Sequence, residues 1–401
     1  MNKDIPPDFK VPGFVAAGIS AGIKKNREKD LALIYSAVPS VAAGVFTTNR
    51  VKAAPVLLSM ERIKAGRARA ILINSGSANA CTGKQGLTDG RRLSRLIASS
   101  LKTSPGNVLL ASTGVIGKPL PMHLIEENLP CLLSSLTPDG LGDAARAIVT
   151  TDTFPKAVIL RQQVNGREIT LAGIAKGAGM ISPQMATLLS FVVTDASISL
   201  KALRQSLKEG VQESFNRVIV DGDMSTNDTL LILANGEARN REIIFGTPGY
   251  KKFAFFLHEL LFSLAQKIAS DGEGATKLVA IAVEGARTAS EAERVARAVA
   301  TSPLVKTAFF GEDANWGRIL CATGYSGAPI DPNKIDVYFD NVAIVRRGQG
   351  AGPATEEQAT AVMKKKEYTV RINLNRGKKK TSFFTTDFSL DYVKINASYR
   401  S

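Results

Sequence analysis

Histidine is almost missing from this chain: His123 and His258 are the only two among 401 residues. A histidine-based catalytic triad would have to rest on His123, because His258 falls on an amphipathic helical segment where a structural role is expected. A His-rich metal site is excluded by the count alone. Cysteine is equally sparse. Cys81, Cys131 and Cys321 lie far apart and include no CxxC pair, which reads as free thiols in a reducing compartment. No apolar run is long enough to span a bilayer, and MNKDIPPDFK at the start lacks the apolar stretch of a secretory signal. A cytoplasmic protein independent of membranes is expected.

Aromatic residues make up only 6% of the chain, so its basic character comes without stacking platforms for bases. The net charge of +15 (51 basic against 36 acidic residues) is scattered, with runs only at 364–366 and 378–380. A solvated basic surface that attracts anionic substrates is the expectation. The rival is a nucleic-acid-binding protein. It would need concentrated positive charge and would bind generic duplex in a salt-sensitive way. Phosphate and metal loops fail on inspection. Gly114-Val-Ile-Gly117-Lys118 is too short for a phosphate loop, and 221–232 (DGDMSTNDTLLI) has Thr226 and Ile232 where a calcium loop needs glycine and glutamate. No dinucleotide GxGxxG follows a strand.

What is present is an α/β mixture. Short apolar, β-branched runs at 70–74, 107–111, 187–194 and 278–283 predict strands. Asn165-Gly166 between two strand-like runs predicts a hairpin, and 368–375 (YTVRINLN) alternates as a half-buried strand. Phe253, Phe256, Leu257, Leu260, Leu261, Leu264 and Ile268 share one helical face. Ser290 and Glu293 are spaced as a capping box ahead of a further helix. The order lacks a regular βαβ rhythm, which favours sheets with helices on their outer faces over a doubly wound fold.

One segment stands out: 176–187 (KGAGMISPQMAT), followed by LLSFVVTDA. Gly177, Gly179 and Pro183 specify a tight loop that delivers Ala186-Thr187 to the start of a buried strand. If the Ala186–Thr187 bond is broken, Thr187 gains an α-amine beside its own hydroxyl. Such an amine has a reference pKa of about 7.7–8.0 and serves as the base that a histidine-poor chain lacks. On these residues alone, an ordinary glycine-rich turn entering a strand accounts for the segment at least as well.

The block 176–196 (KGAGMISPQMATLLSFVVTDA) closely resembles the signature of the ornithine acetyltransferases, also called glutamate N-acetyltransferases. Further blocks match in order along nearly the whole chain: 40–54, 73–83 (INSGSANACTG), 112–117 (STGVIG), 150–156 (TTDTFPK), 220–229 (VDGDMSTNDT), 271–277 (DGEGATK), 311–327 and 391–401. So many spaced blocks are far more specific than one short motif.

The resemblance implies self-cleavage between Ala186 and Thr187, giving an alpha fragment 1–186 and a beta fragment 187–401 that stay together. It implies a four-layer αββα sandwich shared with the β-aminopeptidases, and a dimer of cleaved protomers, a heterotetramer. It makes Thr187 the nucleophile and Thr113 with Gly114 the oxyanion hole. Thr153, Lys176, Thr187, Glu273, Asn396 and Ser401 match substrate-binding positions. The implied reaction moves acetyl from N2-acetylornithine to glutamate through an acetyl-Thr187 ester, in arginine biosynthesis. No metal or organic cofactor is required, and some members also take acetyl-CoA as donor. The nearest rival is a β-aminopeptidase-like amide hydrolase with the same nucleophile and water as acceptor. The family commonly has asparagine where Gln184 stands and threonine where Ser401 stands. Both replacements keep hydrogen-bonding capacity.

Overall fold

A long bent strand governs the first half of the molecule. In the computed structural model, which describes residues 5–182 and 188–398, the chain forms two compact units. The first comprises residues up to Asn216 together with Asp223–Ile268, and the second comprises Arg217–Gly222 and the chain from Ala269 onward.

The strands of the first unit are β1 (Phe14–Ile19), β2 (Leu31–Phe46), β3 (Arg67–Ser77), β4 (Val108–Val115), β5 (Lys156–Val164), β6 (Arg167–Lys176), β7 (Leu189–Thr194) and β9 (Thr229–Ala234); β8 (Val218–Ile219) belongs to the second unit. Its helices are α1 (Ala54–Arg62), α2 (Gly83–Ser100), α3 (Met122–Ser134), α4 (Leu141–Ala147), α5 (Leu200–Gln212) and α6 (Pro248–Ser270). The strands hydrogen-bond in the order β4-β3-β2-β9-β7-β6-β5, with β1 on β2.

β2 pairs through Leu31–Tyr35 with β1 and β3, shifts register between Tyr35 and Ser40, and pairs from Val41 to Phe46 with β9. The shift folds the sheet on itself. Alternate residues Ile34, Ile71, Ile73 and Leu109 of one half share a single buried cluster with Ile174, Phe191, Val193 and Leu231 of the other. The opposite faces of the first half (Leu31, Leu33, Leu72, Leu110) pack with Leu58 of α1, Leu93 and Ile97 of α2, and Ile125 and Leu129 of α3. On the second half, Gly173 is bare where Leu260 and Leu264 of α6 come down; a Cβ there would lie 2.7–2.8 Å from their methyl groups. Strand alternation thus sorts side chains into the layers helix, sheet, sheet, helix. This is the expected four-layer αββα sandwich, made here from one continuous, folded sheet.

The second unit holds β10 (Leu278–Ala286), β11 (Asp336–Phe339), β12 (Val342–Arg346), β13 (Gln349–Gly350), β14 (Glu367–Asn373) and β15 (Lys379–Thr386) with β8, in the order β13-β12-β11-β14-β10-β15-β8. Val279, Ile281, Val283, Val370 and Ile372 point to one face and share a core with helices α7 (Ala289–Thr301), α8 (Pro303–Phe310), α9 (Trp316–Gly324) and α10 (Pro353–Met363). The last helix is α11 (Leu390–Ser398).

The Asn165-Gly166 turn joins β5 to β6 with both residues at positive φ (51° and 80°), as a two-residue hairpin of the primed kind requires. One detail differs from the sequence reading. The capping box of α7 is built by Thr288, whose side chain accepts from the Glu291 amide, while Glu291 Oε2 accepts from the Arg287 amide. Ser290 and Glu293 lie inside the helix. Both pairs have the same spacing, and the earlier one is used because Ala289 already has helical geometry.

Candidate active site

Three strand ends of the first unit meet around one buried ion cluster. β6 ends on Lys176, which pairs in register with Leu189 at the start of β7. Lys176 Nζ donates to Thr150 Oγ1 (2.6 Å) and to Thr113 Oγ1 (3.3 Å), near the end of β4. β4 and β6 lie far apart in strand order, so this contact exists because the sheet is folded. Asp152 anchors the cluster. Its Oδ1 accepts from Lys156 Nζ (2.6 Å) and the Gly177 amide (2.7 Å), its Oδ2 accepts from the Thr150 amide (3.0 Å), and Lys176 Nζ lies 3.8 Å from Oδ2. Burial works to raise the Asp152 pKa, but Lys176, Lys156 and the Gly177 amide outweigh it and hold the group at about 2. Two buried lysines therefore share one buried carboxylate.

Gly114 has to be glycine. It sits at φ 125° opposite Gly76 in the β3–β4 register, and a Cβ would meet the Gly76 carbonyl carbon at 2.5 Å. Thr113 beside it is buried, and Thr153 is exposed, next to Asp152 in sequence. The loop before β9 joins this region. Asn227 Nδ2 donates to the carbonyls of Ala78 (2.7 Å) and Ser112 (2.8 Å). Asp228 Oδ1 accepts from the Leu188 amide (3.0 Å). The segment 183–187, with Thr187 and the Ala186–Thr187 bond, lies outside the described residues, as does Ser401.

Glu273 and Asn396 belong to the second unit. Asn396 Nδ2 donates to Glu273 Oε2 at 3.0 Å. Asp387 sets this arrangement by accepting from the Thr276 and Lys277 amides (2.8 and 3.0 Å), and Ser389 Oγ donates to the Gly274 carbonyl (2.6 Å). Gly274 is at φ 65°, and a Cβ there would run into the backbone of Tyr392. The structure therefore brings Thr113 and Lys176 together in one unit, and Glu273 and Asn396 together in the other. Thr150, Asp152, Lys156, Asn227 and Asp228 were not singled out from sequence, although all lie within two matched blocks. A polar residue on an isolated strand of text gives no sign that folding will bury and pair it.

The model of the ArgJ family matches residues 15–401. The arginine biosynthesis bifunctional protein ArgJ of Geobacter sulfurreducens is 51% identical, over 98% of this chain and 100% of that protein. Its counterpart from Syntrophotalea carbinolica is 50% identical, again over 98% and 100%. A crystal structure of the ArgJ protein from Bacillus halodurans, 41% identical, superposes with a TM-score of 0.50, covering 52% of this chain and 98% of that one. With a matching family model over almost the whole length and relatives at half identity end to end, the chain belongs to the ArgJ family.

Proposed function

We propose that the protein transfers acetyl from N2-acetylornithine to glutamate by double displacement at Thr187. As an ArgJ family member it is an enzyme of arginine biosynthesis; the steps that follow are our reading. The chain first cleaves itself between Ala186 and Thr187. The freed α-amine takes the hydroxyl proton as Thr187 attacks the acetyl carbonyl. Donors at Thr113 and Gly114 stabilise the tetrahedral oxyanion, and ornithine leaves with the proton. Glutamate then attacks the ester and carries the acetyl group away as N-acetylglutamate. Acetyl-CoA is a second donor in this scheme, consistent with the relatives' description as bifunctional. The enzyme acts without metal or organic cofactor, in the cytoplasm, as a dimer of cleaved protomers.

The observation that carries this reading is the 3.3 Å contact of Lys176 Nζ with Thr113 Oγ1. It sets a cation and the Thr113–Gly114 loop beside the strand that starts two residues after Thr187. We assign Lys176 to the α-carboxylate that ornithine and glutamate share, with Thr153 and Asn396 adding neutral hydrogen bonds. Glu273 and Ser401 are assigned to the substrate's side chain.

Two measurements test the proposal. N-terminal sequencing of the purified protein should find a second chain starting at Thr187, and Thr187→Ala should run as one intact band. Mass spectrometry of enzyme quenched with acetylornithine should find acetyl on the peptide that begins with Thr187. Release of free acetate at the rate of acetylornithine consumption, with glutamate present, would instead establish an amide hydrolase.

A further inference from the structure

We propose that Asp228, with its neighbour Asn227, is a positioning residue for acyl transfer: the pair ties the start of the Thr187 strand to the loop that carries Thr113 and Gly114. The inference rests on Thr187 being the nucleophile and extends that reading to two residues with no assigned part in it.

The geometry is that of a bracket. Asp228 Oδ1 accepts from the Leu188 amide (3.0 Å), and the Thr229 amide donates to the Leu188 carbonyl (3.0 Å), so Leu188 is pinned on both sides. The Leu188 amide is half of the planar peptide unit whose other half is the Thr187 carbonyl. Fixing Leu188 fixes the residue that follows Thr187 in the chain. One residue earlier, Asn227 Nδ2 holds the Ser112 carbonyl at 2.8 Å, and the peptide of that carbonyl leads directly into Thr113. Asn227 is itself fixed, its Oδ1 accepting from Thr226 Oγ1 at 2.6 Å. Two consecutive buried side chains therefore grip the nucleophile strand and the oxyanion loop. Acyl transfer is sensitive to this separation, since a misplacement of about 1 Å costs on the order of 10²-fold in rate.

The state of the Asp228 carboxyl fits the same role. Burial pushes its pKa well above the ordinary range, against the opposing pull of the Leu188 amide, the Thr47 hydroxyl and the Lys176 charge. Among the described residues nothing bonds its second oxygen, Oδ2. Burial thus disfavours the charged form of the carboxyl that grips the Leu188 amide.

The experiment compares full-length wild type, Asp228→Asn and Asp228→Ala, each normalised to its cleaved fraction and checked by thermal melting. Asparagine keeps a neutral oxygen acceptor for the Leu188 amide, whereas alanine removes it. Expected is a kcat for Asp228→Asn near wild type, with an unshifted pH–rate profile. Asp228→Ala should lose on the order of 10²-fold in kcat with KM little changed. Asp228→Ser, too short to reach Leu188, replaces the alanine variant should that one not fold. A full-rate alanine or serine variant overturns the inference, as does an Asp228→Asn variant that is equally impaired or has a displaced pH profile. Wild type that forms no acetyl-Thr187 defeats the nucleophile reading instead, so the two failures are distinct.

Discussion

Asp152 shows how a single buried charge couples stability to the site. Its side chain is fully buried together with that of Lys156, and the neighbouring cations hold its pKa at about 2. The folded value lies below the unfolded one, so its stabilising contribution is complete above an unfolded value of about 3.9 and is lost as pH falls toward 2. The linked free energy is roughly 2–3 kcal/mol. Asp152→Asn removes the carboxylate that both buried ammonium groups share, a loss of about 3–5 kcal/mol near neutral pH. The Tm gap between wild type and this variant should narrow below about pH 4; a gap that stays constant through that range contradicts the assignment. Lys176→Met is gentler on the fold because Lys156 still meets Asp152 at 2.6 Å, so its effect should be on catalysis. It should lower kcat/KM for acetylornithine and for glutamate by comparable factors, because both present the same α-carboxylate. Glu273→Gln should change the ratio between them, impairing the cationic ornithine half-reaction more. If Lys176→Met spares acetylornithine and cripples glutamate alone, Lys176 reads the side chain and the two assignments exchange.

At the scale of elements, local signals in the sequence were followed closely by the fold. The Asn165-Gly166 hairpin, the apolar face of α6 and the alternation of β14 all rest on contacts within a few residues, so they can be read from text. The bend in β2 cannot: nothing between Tyr35 and Ser40 states that the strand changes partners, because β9 lies almost 200 residues later in the chain. The meeting of Thr113 and Lys176 depends on that bend and was legible only through family resemblance. The α7 cap marks a finer boundary. Ser290-x-x-Glu293 and Thr288-x-x-Glu291 satisfy the same pattern, and only the backbone decides between them. Thr288→Ala should therefore cost about 1 kcal/mol, read as a lowered Tm of the second unit, while Ser290→Ala, at an exposed helix position, should leave it unchanged. Equal effects would put the cap back at Ser290. The Gly76–Gly114 facing pair limits mutagenesis of the proposed oxyanion loop. Any side chain at Gly114 strikes the backbone of β3, so a loss of activity there reports a displaced strand, and Thr113→Val is the cleaner probe.

For the whole molecule, the proposed cut and the structural division fall in different places. The Ala186–Thr187 bond precedes β7, and β7 is an interior strand of the first unit, paired over six residues with β6 and over six with β9. The fragment 187–401 therefore supplies β7 and β9 to the middle of a sheet whose other strands come from 1–186. Phe191, Val193, Leu231 and Leu233 from one fragment share a core with Ile34, Ile71, Leu109 and Ile174 from the other. At about 1.5–3 kcal/mol for each large apolar side chain removed from water, no single broken peptide bond separates such pieces. The two fragments should elute together in native buffer, appear as two bands under denaturing conditions, and part only where the first unit unfolds in urea. Residues 1–186 expressed alone should fail differently. Without β7 and β9, the second half of β2 and one side of β6 become open edges lined with apolar residues, a template for pairing between chains. Aggregation of that fragment, relieved by co-expression with 187–401, is the expected result. A soluble, monomeric 1–186 would mean that the β4–β2 half and the β6–β5 half close on each other without the strands between them.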